Sequence, residues 1–97
     1  MKNEEKEVKV TPDDFILEDK ELREMTYGEK AVGIKFNPSN LLCVEVVKQN
    51  YADIIDDLHQ TREDTKDNEV KRLCSIAITE AQGAQMWAVK ALTYNKK

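Results

Sequence analysis

The sequence has few of the residues on which catalysis and metal binding depend: one histidine, two cysteines and three glycines among 97 residues. A zinc site needs about four ligands at suitable spacing, and Cys43, His59 and Cys74 do not supply one. The acidic run between residues 53 and 67 contains no glycine, which a calcium-binding loop requires. We therefore predict a protein that binds a ligand or partner without catalysis, and without a metal or other cofactor.

Long hydrophobic runs are also lacking. No apolar segment approaches the roughly 18 residues that a membrane span needs, and Met1 to Lys9 is charged where a signal peptide would be apolar. These absences predict a cytoplasmic protein with no membrane partner, whose two cysteines are buried and reduced. The net charge of −4 argues against binding of long nucleic acid. It is compatible with a small anionic ligand, for which a few cations at one pocket suffice.

What the sequence does contain is helical periodicity, preceded by a polar lead. Residues 1–14 are predicted to form a flexible or extended arm, in which the alternation from Val8 to Thr11 would also suit a short strand. Residues 15–97 are predicted to form one helical domain, with Phe15 to Leu17 packing on a neighbouring surface. We expect an all-α fold in which a short N-terminal helix precedes a long antiparallel helical hairpin.

The helix boundaries follow from capping signals. Thr26 and Glu29 have the spacing of a capping box, so a short helix is expected to begin there and to continue to Ile34. Asn37 is a favourable N-cap and Pro38 a favourable first residue for the second helix. This helix should end near residue 60 or 62. Its predicted packing face is the apolar stripe of Val44, Val47, Tyr51, Ile54 and Leu58.

The third helix, capped by Asp67 or Asn68, is apolar around much of its circumference. One seam consists of alanines: Ala77, Ala81, Ala84, Ala88 and Ala91. A second stripe beside it contains Leu73, Ile76, Gly83 and Trp87. One hairpin partner cannot cover a helix that is apolar on more than one side, and the short first helix is too small to cover the rest. We therefore predict a homo-oligomer lined by this helix.

The segment from Lys35 to Asn40 is the feature that best suits an anion. It combines a cation, the aromatic Phe36, the polar Asn37 and Ser39, and the expected start of a helix, whose free N–H groups and dipole favour negative charge. Phe36 or Tyr27 could stack on a nucleobase. The alternative is an ordinary turn between helices with a good cap.

Four stretches of the chain, MTYGEKAVG at 25–33, FNPS at 36–39, IAITEAQ at 76–82 and QMWAVKA at 85–91, resemble the phage sponge proteins that defeat CBASS and Thoeris immunity. The resemblance covers roughly residues 22–94. It implies a helical-hairpin domain that assembles, typically as a hexamer, in the cytoplasm of the infected bacterium. It also implies that cyclic di- and trinucleotides, and for some members cyclic ADP-ribose isomers, are sequestered without cleavage.

The resemblance also implies candidate ligand-binding residues. The branch of the family with a short N-terminal helix binds cyclic dinucleotides between protomers through a tyrosine and a lysine. In this chain the candidates are Tyr27 with Lys30 or Lys35. A separate cyclic-trinucleotide site uses an arginine near the hairpin, for which Arg72 is the candidate. The competing interpretation of the whole chain is a helical protein–protein adaptor with no nucleotide site.

Overall fold

The computed structural model describes residues 23–95, which form three helices. Helix α1 spans Tyr27–Val32, α2 spans Leu42–Asp64 and α3 spans Asn68–Thr93. The two long helices pack against each other as a hairpin, and α1 lies mainly on α2. The predicted all-α fold, with a short helix before a long helical hairpin, is confirmed. The predicted arm of residues 1–14 and the apolar cluster at 15–17 lie outside the described residues.

Helix α1 begins as its sequence predicts. The Thr26 hydroxyl accepts a hydrogen bond from the Glu29 backbone N–H at 3.0 Å, and the Glu29 carboxylate accepts one from the Thr26 N–H at 3.1 Å. These reciprocal bonds form the capping box. The helix ends earlier than predicted, at Val32, because Gly33 adopts a left-handed conformation with φ of 63°.

The first turn of α1 packs with its backbone directly on α2. A Cβ atom at Gly28 would lie 2.0 Å from the carbonyl oxygen of Ala52. The Gly28 N–H, which the short helix itself cannot satisfy, donates to the Asp56 carboxylate at 2.6 Å. Glycine is therefore required here by the close approach of two backbones.

The core lies where all three helices meet, and it consists of Val32, Ala52, Ile55 and Ile78. The stripe predicted for α2 is only partly correct, because Ile54 is 50% exposed while Ala52 and Ile55 are fully buried. Both α1 and α3 pack on α2. The buried face of α2 is therefore shifted towards α1, compared with that of a helix that packs against α3 alone.

The loop between α1 and α2 differs from the prediction. Asn37 is not the N-cap of the second helix; its carbonyl accepts a hydrogen bond from the Asn40 N–H at 2.9 Å, which closes a turn with Pro38 in its second position. Asn40 has a φ of 57°, a left-handed conformation that a continuing right-handed helix cannot contain. α2 therefore begins at Leu42, after Leu41, which makes no side-chain capping bond.

The connection between α2 and α3 is shorter than predicted, because α2 continues to Asp64. The next helix begins as expected: the Asp67 carboxylate accepts a hydrogen bond from the Glu69 N–H at 2.9 Å. Of the two cysteines, Cys74 is buried as predicted and Cys43 is exposed, so the prediction that both are buried was wrong for Cys43. Both are free thiols.

The face of α3 that points away from α2 carries large exposed apolar side chains. Leu73, Ile76, Met86 and Trp87 are between 44% and 71% exposed. Of the predicted alanine seam, Ala84 and Ala91 are exposed and the others are half-buried. No helix in the described part of the chain is both long and apolar enough to cross a lipid bilayer.

Candidate functional site

Tyr27, at the start of α1, lies in a cluster of aromatic and polar side chains that we call the tyrosine cluster: Tyr27, His59, Arg62 and Ser75. The ring of Tyr27 stacks on the imidazole of His59 with centroids 4.1 Å apart and planes within 2° of parallel. The guanidinium carbon of Arg62 lies 5.5 Å from the centroid of the Tyr27 ring. The cluster joins all three helices at one surface.

Hydrogen bonds fix Arg62 within this cluster. Its Nη1 donates to the Ser75 hydroxyl on α3, and its Nη2 donates to Nδ1 of His59, each at 3.0 Å. An arginine is a donor only, so Nδ1 of His59 is the acceptor in this arrangement. The guanidinium is therefore oriented by two neutral partners.

The start of α1 also contains a buried ion pair. The Arg23 guanidinium donates to both carboxylate oxygens of Glu29, at 3.1 and 2.9 Å, and the Glu29 side chain is 1% exposed. The hydrogen bonds from Arg23, assisted by that from the Thr26 N–H, lower the pKa of Glu29 to about 2 against the opposing effect of burial. Glu29 is thus a structural anion, already paired, and is not free for a ligand.

The candidate cations occupy different places. Lys30 follows Tyr27 by one turn of α1 and is exposed, with its ammonium 3.8 Å from the Glu24 carboxylate. Lys35 is exposed in the loop after α1. Arg72 lies near the start of α3, where it donates to both carboxylate oxygens of Glu69 at 3.0 and 2.6 Å. This bond raises the pKa of Arg72. Its charge is therefore already compensated within its own helix.

Phe36, Asn37 and Ser39 line a groove at the other end of α1, which we call the loop groove. It has a volume of about 200 Å³ and lies between the loop, the start of α2 and the end of α3. Phe36 is 71% exposed. The Ser39 hydroxyl donates to the Asn37 carboxamide oxygen at 2.8 Å, and the carboxamide nitrogen donates to the Leu41 carbonyl at 3.0 Å. These two polar side chains therefore hold the loop in shape.

Lys48 forms the buried wall of the loop groove. Its ammonium donates to the Gly33 carbonyl at 2.9 Å and, by a shorter contact, to the Phe36 carbonyl, and it lies 5.4 Å from the centroid of the Phe36 ring. The residue is 4% exposed, and this burial lowers its pKa. Lys48 thus fixes the loop to α2.

The structure places five of the seven predicted site residues in two groups. Tyr27 and Lys30 lie one turn apart on α1, and Phe36, Asn37 and Ser39 are at the loop groove. Lys35 and Arg72 belong to neither group. Tyr27 contacts α2 at His59 and Phe36 contacts it at Lys48, which is a separation of about 16 Å along the helix at about 1.5 Å per residue. Within one chain, the two aromatic side chains are therefore too far apart to hold one nucleobase.

Sequence reasoning did not identify His59, Arg62 or Lys48 as members of these groups. A single histidine on a helix is by itself weak evidence for a site. The spacing of three between His59 and Arg62 places both on one face of α2, and this was the available signal. Nothing local to Lys48 indicates that the ammonium is buried beneath a loop 12 to 15 residues away.

Comparison with known proteins decides the family. A family model described as Acb2/Tad1, hairpin domain, matches residues 29–93, about two thirds of the chain. The chain belongs to the Acb2/Tad1 hairpin family. No curated protein and no solved structure matches it. The match begins at the buried Glu29 and ends with α3, so it covers both helices of the hairpin, the loop groove and most of the tyrosine cluster.

The Acb2/Tad1 proteins are the sponges that counter CBASS and Thoeris defence, and the predicted resemblance is therefore confirmed. Their mode of action is to sequester a ligand rather than to transform it. Membership supports a role for this chain in phage evasion of bacterial defence through cyclic-nucleotide binding.

Proposed function

We propose that this protein binds and sequesters cyclic oligonucleotide second messengers, including cyclic di- and trinucleotides, in the cytoplasm of the infected bacterium and releases them intact. The observation that carries the proposal is the family match over residues 29–93. Sequestration prevents the messenger from reaching CBASS or Thoeris effectors. Cyclic ADP-ribose isomers belong to the panel that tests the range of ligands.

The proposed ligand contacts are the seven residues predicted from the sequence: Tyr27, Lys30, Lys35, Phe36, Asn37, Ser39 and Arg72. Tyr27 and Phe36 each expose a ring on which a base could stack, a contact worth about 1–3 kcal/mol per base. Lys30 and Lys35 are exposed cations, one close to each aromatic residue in the sequence. Because Asn37 and Ser39 bond to each other and to the loop, they also shape the groove in which we propose that they contact the ligand.

We further propose that copies of the chain assemble through the outer face of α3, as a hexamer. The exposed Leu73, Ile76, Met86 and Trp87 support this, because large apolar side chains grouped on one helix favour burial in an interface. Tyr27 and the loop groove lie far apart within one chain. This also favours an assembly, in which Tyr27 of one copy could approach the loop groove of another.

The assembly is tested at Ala84, which lies exposed on α3. Ala84→Arg should disrupt the oligomer, because a long charged side chain would be buried in the interface without a partner. Light scattering at micromolar concentration should give an oligomeric mass for the parent and a lower mass for the variant. Asp57→Arg, at an exposed position of α2, serves as the control. A monomeric parent would contradict the proposal.

The same apolar face favours a second candidate function, an adaptor that binds another protein and no nucleotide. Calorimetric titration separates the two functions. The parent protein is titrated with cyclic di-AMP, cyclic di-GMP, cyclic tri-AMP and a cyclic ADP-ribose isomer, and each complex is then denatured and its nucleotide analysed by chromatography. Saturable binding with recovery of the intact cyclic nucleotide supports sequestration. Absence of binding across the panel favours the adaptor, and recovery of linear product would refute the absence of cleavage.

A further inference from the structure

Arg62 is a cation that is held in place but not neutralised. Its two hydrogen-bond partners, the Ser75 hydroxyl and Nδ1 of His59, are both uncharged. The ion pairs in the described part of the chain involve Arg23, Lys30 and Arg72, and none includes Arg62. Arg62 therefore differs from Arg72, whose charge Glu69 compensates at 2.6 Å.

Within residues 23–95, no second ring stacks on the face of Tyr27 that His59 leaves uncovered. His59 covers the other face at a centroid distance of 4.1 Å. Because Nη2 of Arg62 reaches the His59 ring at 3.0 Å, the guanidinium lies beside the two stacked rings and not above the outer face of Tyr27. Tyr27 remains 43% exposed. A planar group can therefore approach this ring with a guanidinium at its edge.

A fixed guanidinium beside an open aromatic face suits a phosphorylated nucleobase. The guanidinium fork matches the oxygens of a phosphate, and the ring offers a stacking surface for the base. Because Ser75 and His59 already fix the fork, little side-chain entropy is lost when an anion binds. Lys30 lies one turn along α1, and its contact with Glu24 is weak. The Lys30 ammonium is therefore free to move to a ligand, but it is not held in a fixed orientation as the Arg62 guanidinium is.

Resting on the function proposed above, we propose that Arg62 is the phosphate-binding cation of the cyclic-nucleotide site, and that His59 positions both Arg62 and Tyr27 for it. Arg62 contacts the ligand through the N–H groups that Ser75 and His59 leave free. His59 acts through its neighbours: its ring supports one face of Tyr27, and its Nδ1 orients the guanidinium.

The test measures the affinity of Arg62→Gln by calorimetry for whichever of cyclic di-AMP, cyclic di-GMP or cyclic tri-AMP binds the parent most tightly. We expect the dissociation constant to rise at least about tenfold, because a charge-assisted hydrogen bond is lost. Arg62→Lys, which keeps the charge but not the fork, should recover part of the affinity. Lys66→Gln removes the same charge from the turn between the long helices and should change affinity by less than about twofold.

Salt dependence separates ligand contact from a purely structural role. Affinity of the parent should fall as salt rises, and the dependence should be flatter in Arg62→Gln, since one screened charge interaction is missing. His59→Phe keeps the stack and removes Nδ1, so it should weaken binding less than His59→Ala, which removes both. This comparison remains informative if Arg62→Gln folds poorly.

The results separate the role of Arg62 from the proposed function, which is sequestration of a cyclic nucleotide. Tenfold weakening with a flatter salt dependence supports Arg62 as the phosphate contact. If the parent binds a cyclic nucleotide and the Arg62 and His59 variants bind it equally well, the role of Arg62 is refuted while the proposed function stands. A parent that binds none of the probes overturns both.

Discussion

The two ends of helix α1 are built in different ways. At its start, Thr26 and Glu29 bond to each other within four residues, and the ion pair with Arg23 involves a residue only six positions away. At its end, the loop is held by Lys48, which reaches carbonyls 12 and 15 residues earlier in the chain. Local contacts thus define one end and a distant side chain defines the other.

The largest effect is expected at the start of α1, from Gly28→Ala. The added Cβ would lie 2.0 Å from a backbone carbonyl of α2, and backbone cannot move aside as a flexible side chain does. We expect a loss of about 3 kcal/mol in the free energy of unfolding, at the upper end of overpacking effects. Urea denaturation at one fixed protein concentration measures it, because assembly would make stability concentration-dependent.

The matched control is Gly83→Ala in α3, where an added Cβ meets nothing within 4 Å. Alanine should be neutral or stabilise this helix by about 0.5–1 kcal/mol, since glycine loses more backbone entropy on folding. Equal effects at the two glycines would contradict the close approach of α1 to α2.

This contrast explains how much could be predicted from the sequence. The capping box at Thr26 is a local signal and was predicted correctly, and the structure selects Asp67 from the two predicted caps of the third helix. The N-cap predicted at Asn37 was wrong, because an asparagine before a proline suits a turn as well as a helix start. The choice between them depends on Asn40 and on Lys48, whose contacts exist only once α2 packs beneath the loop.

Prediction of the candidate site from the sequence was limited in the same way. Tyr27 and Phe36 could be selected as exposed aromatics near cations, but their placement at opposite ends of α1 depends on the helix ending at Gly33. The stack of Tyr27 on His59 joins residues 32 positions apart. Sequence spacing carries no signal for such a contact without the packing of α1 on α2.

The second prediction concerns acid stability and the buried Glu29. Its pKa is about 2 in the folded protein, against an ordinary value of 4.5. A lowered carboxylate pKa stabilises the fold fully above the ordinary value, and the stabilisation is lost as the pH falls from about 4.5 to about 2. The pKa difference corresponds to about 2–3 kcal/mol, allowing for the partial exposure of Arg23.

Urea titrations at pH 6, 4 and 3 measure this loss. Glu29→Gln should be less stable than the parent at pH 6 and should lose less stability on acidification, because the group that titrates is absent. Glu80→Gln, an exposed carboxylate on α3, is the matched control. Parallel pH profiles for the parent and Glu29→Gln would show that the pair with Arg23 does not hold α1.

At the end of α1, the buried ammonium of Lys48 holds the loop. Lys48→Met keeps an unbranched apolar stem of four atoms and removes the ammonium, leaving the Gly33 and Phe36 carbonyls without their donor. A hydrogen bond from a charged donor contributes about 1.5–3 kcal/mol, so we expect a loss of about 2 kcal/mol. Lys90→Met, at an exposed lysine over Trp87, should stay within about 0.5 kcal/mol of the parent.

The loss of stability in Lys48→Met should be confined to the loop after α1. Hydrogen exchange of Lys48→Met should show faster exchange of the Phe36 and Asn40 amides, which close the loop turns, while the Glu29 amide in the capping box should stay protected. Uniform loss of protection along α1 would show that its two ends are held as one unit.

The smallest effect is expected at Asn40, the residue that separates the loop from α2. Its φ of 57° is one that asparagine adopts more readily than alanine, so Asn40→Ala should cost about 1 kcal/mol. Asn40→Gly should be close to neutral, because glycine adopts this conformation freely but gains entropy in the unfolded chain. The pair of variants isolates backbone conformation, since the Asn40 side chain is exposed. If alanine is tolerated as well as glycine, the left-handed residue does not set the start of α2, and the loop depends on Lys48 alone.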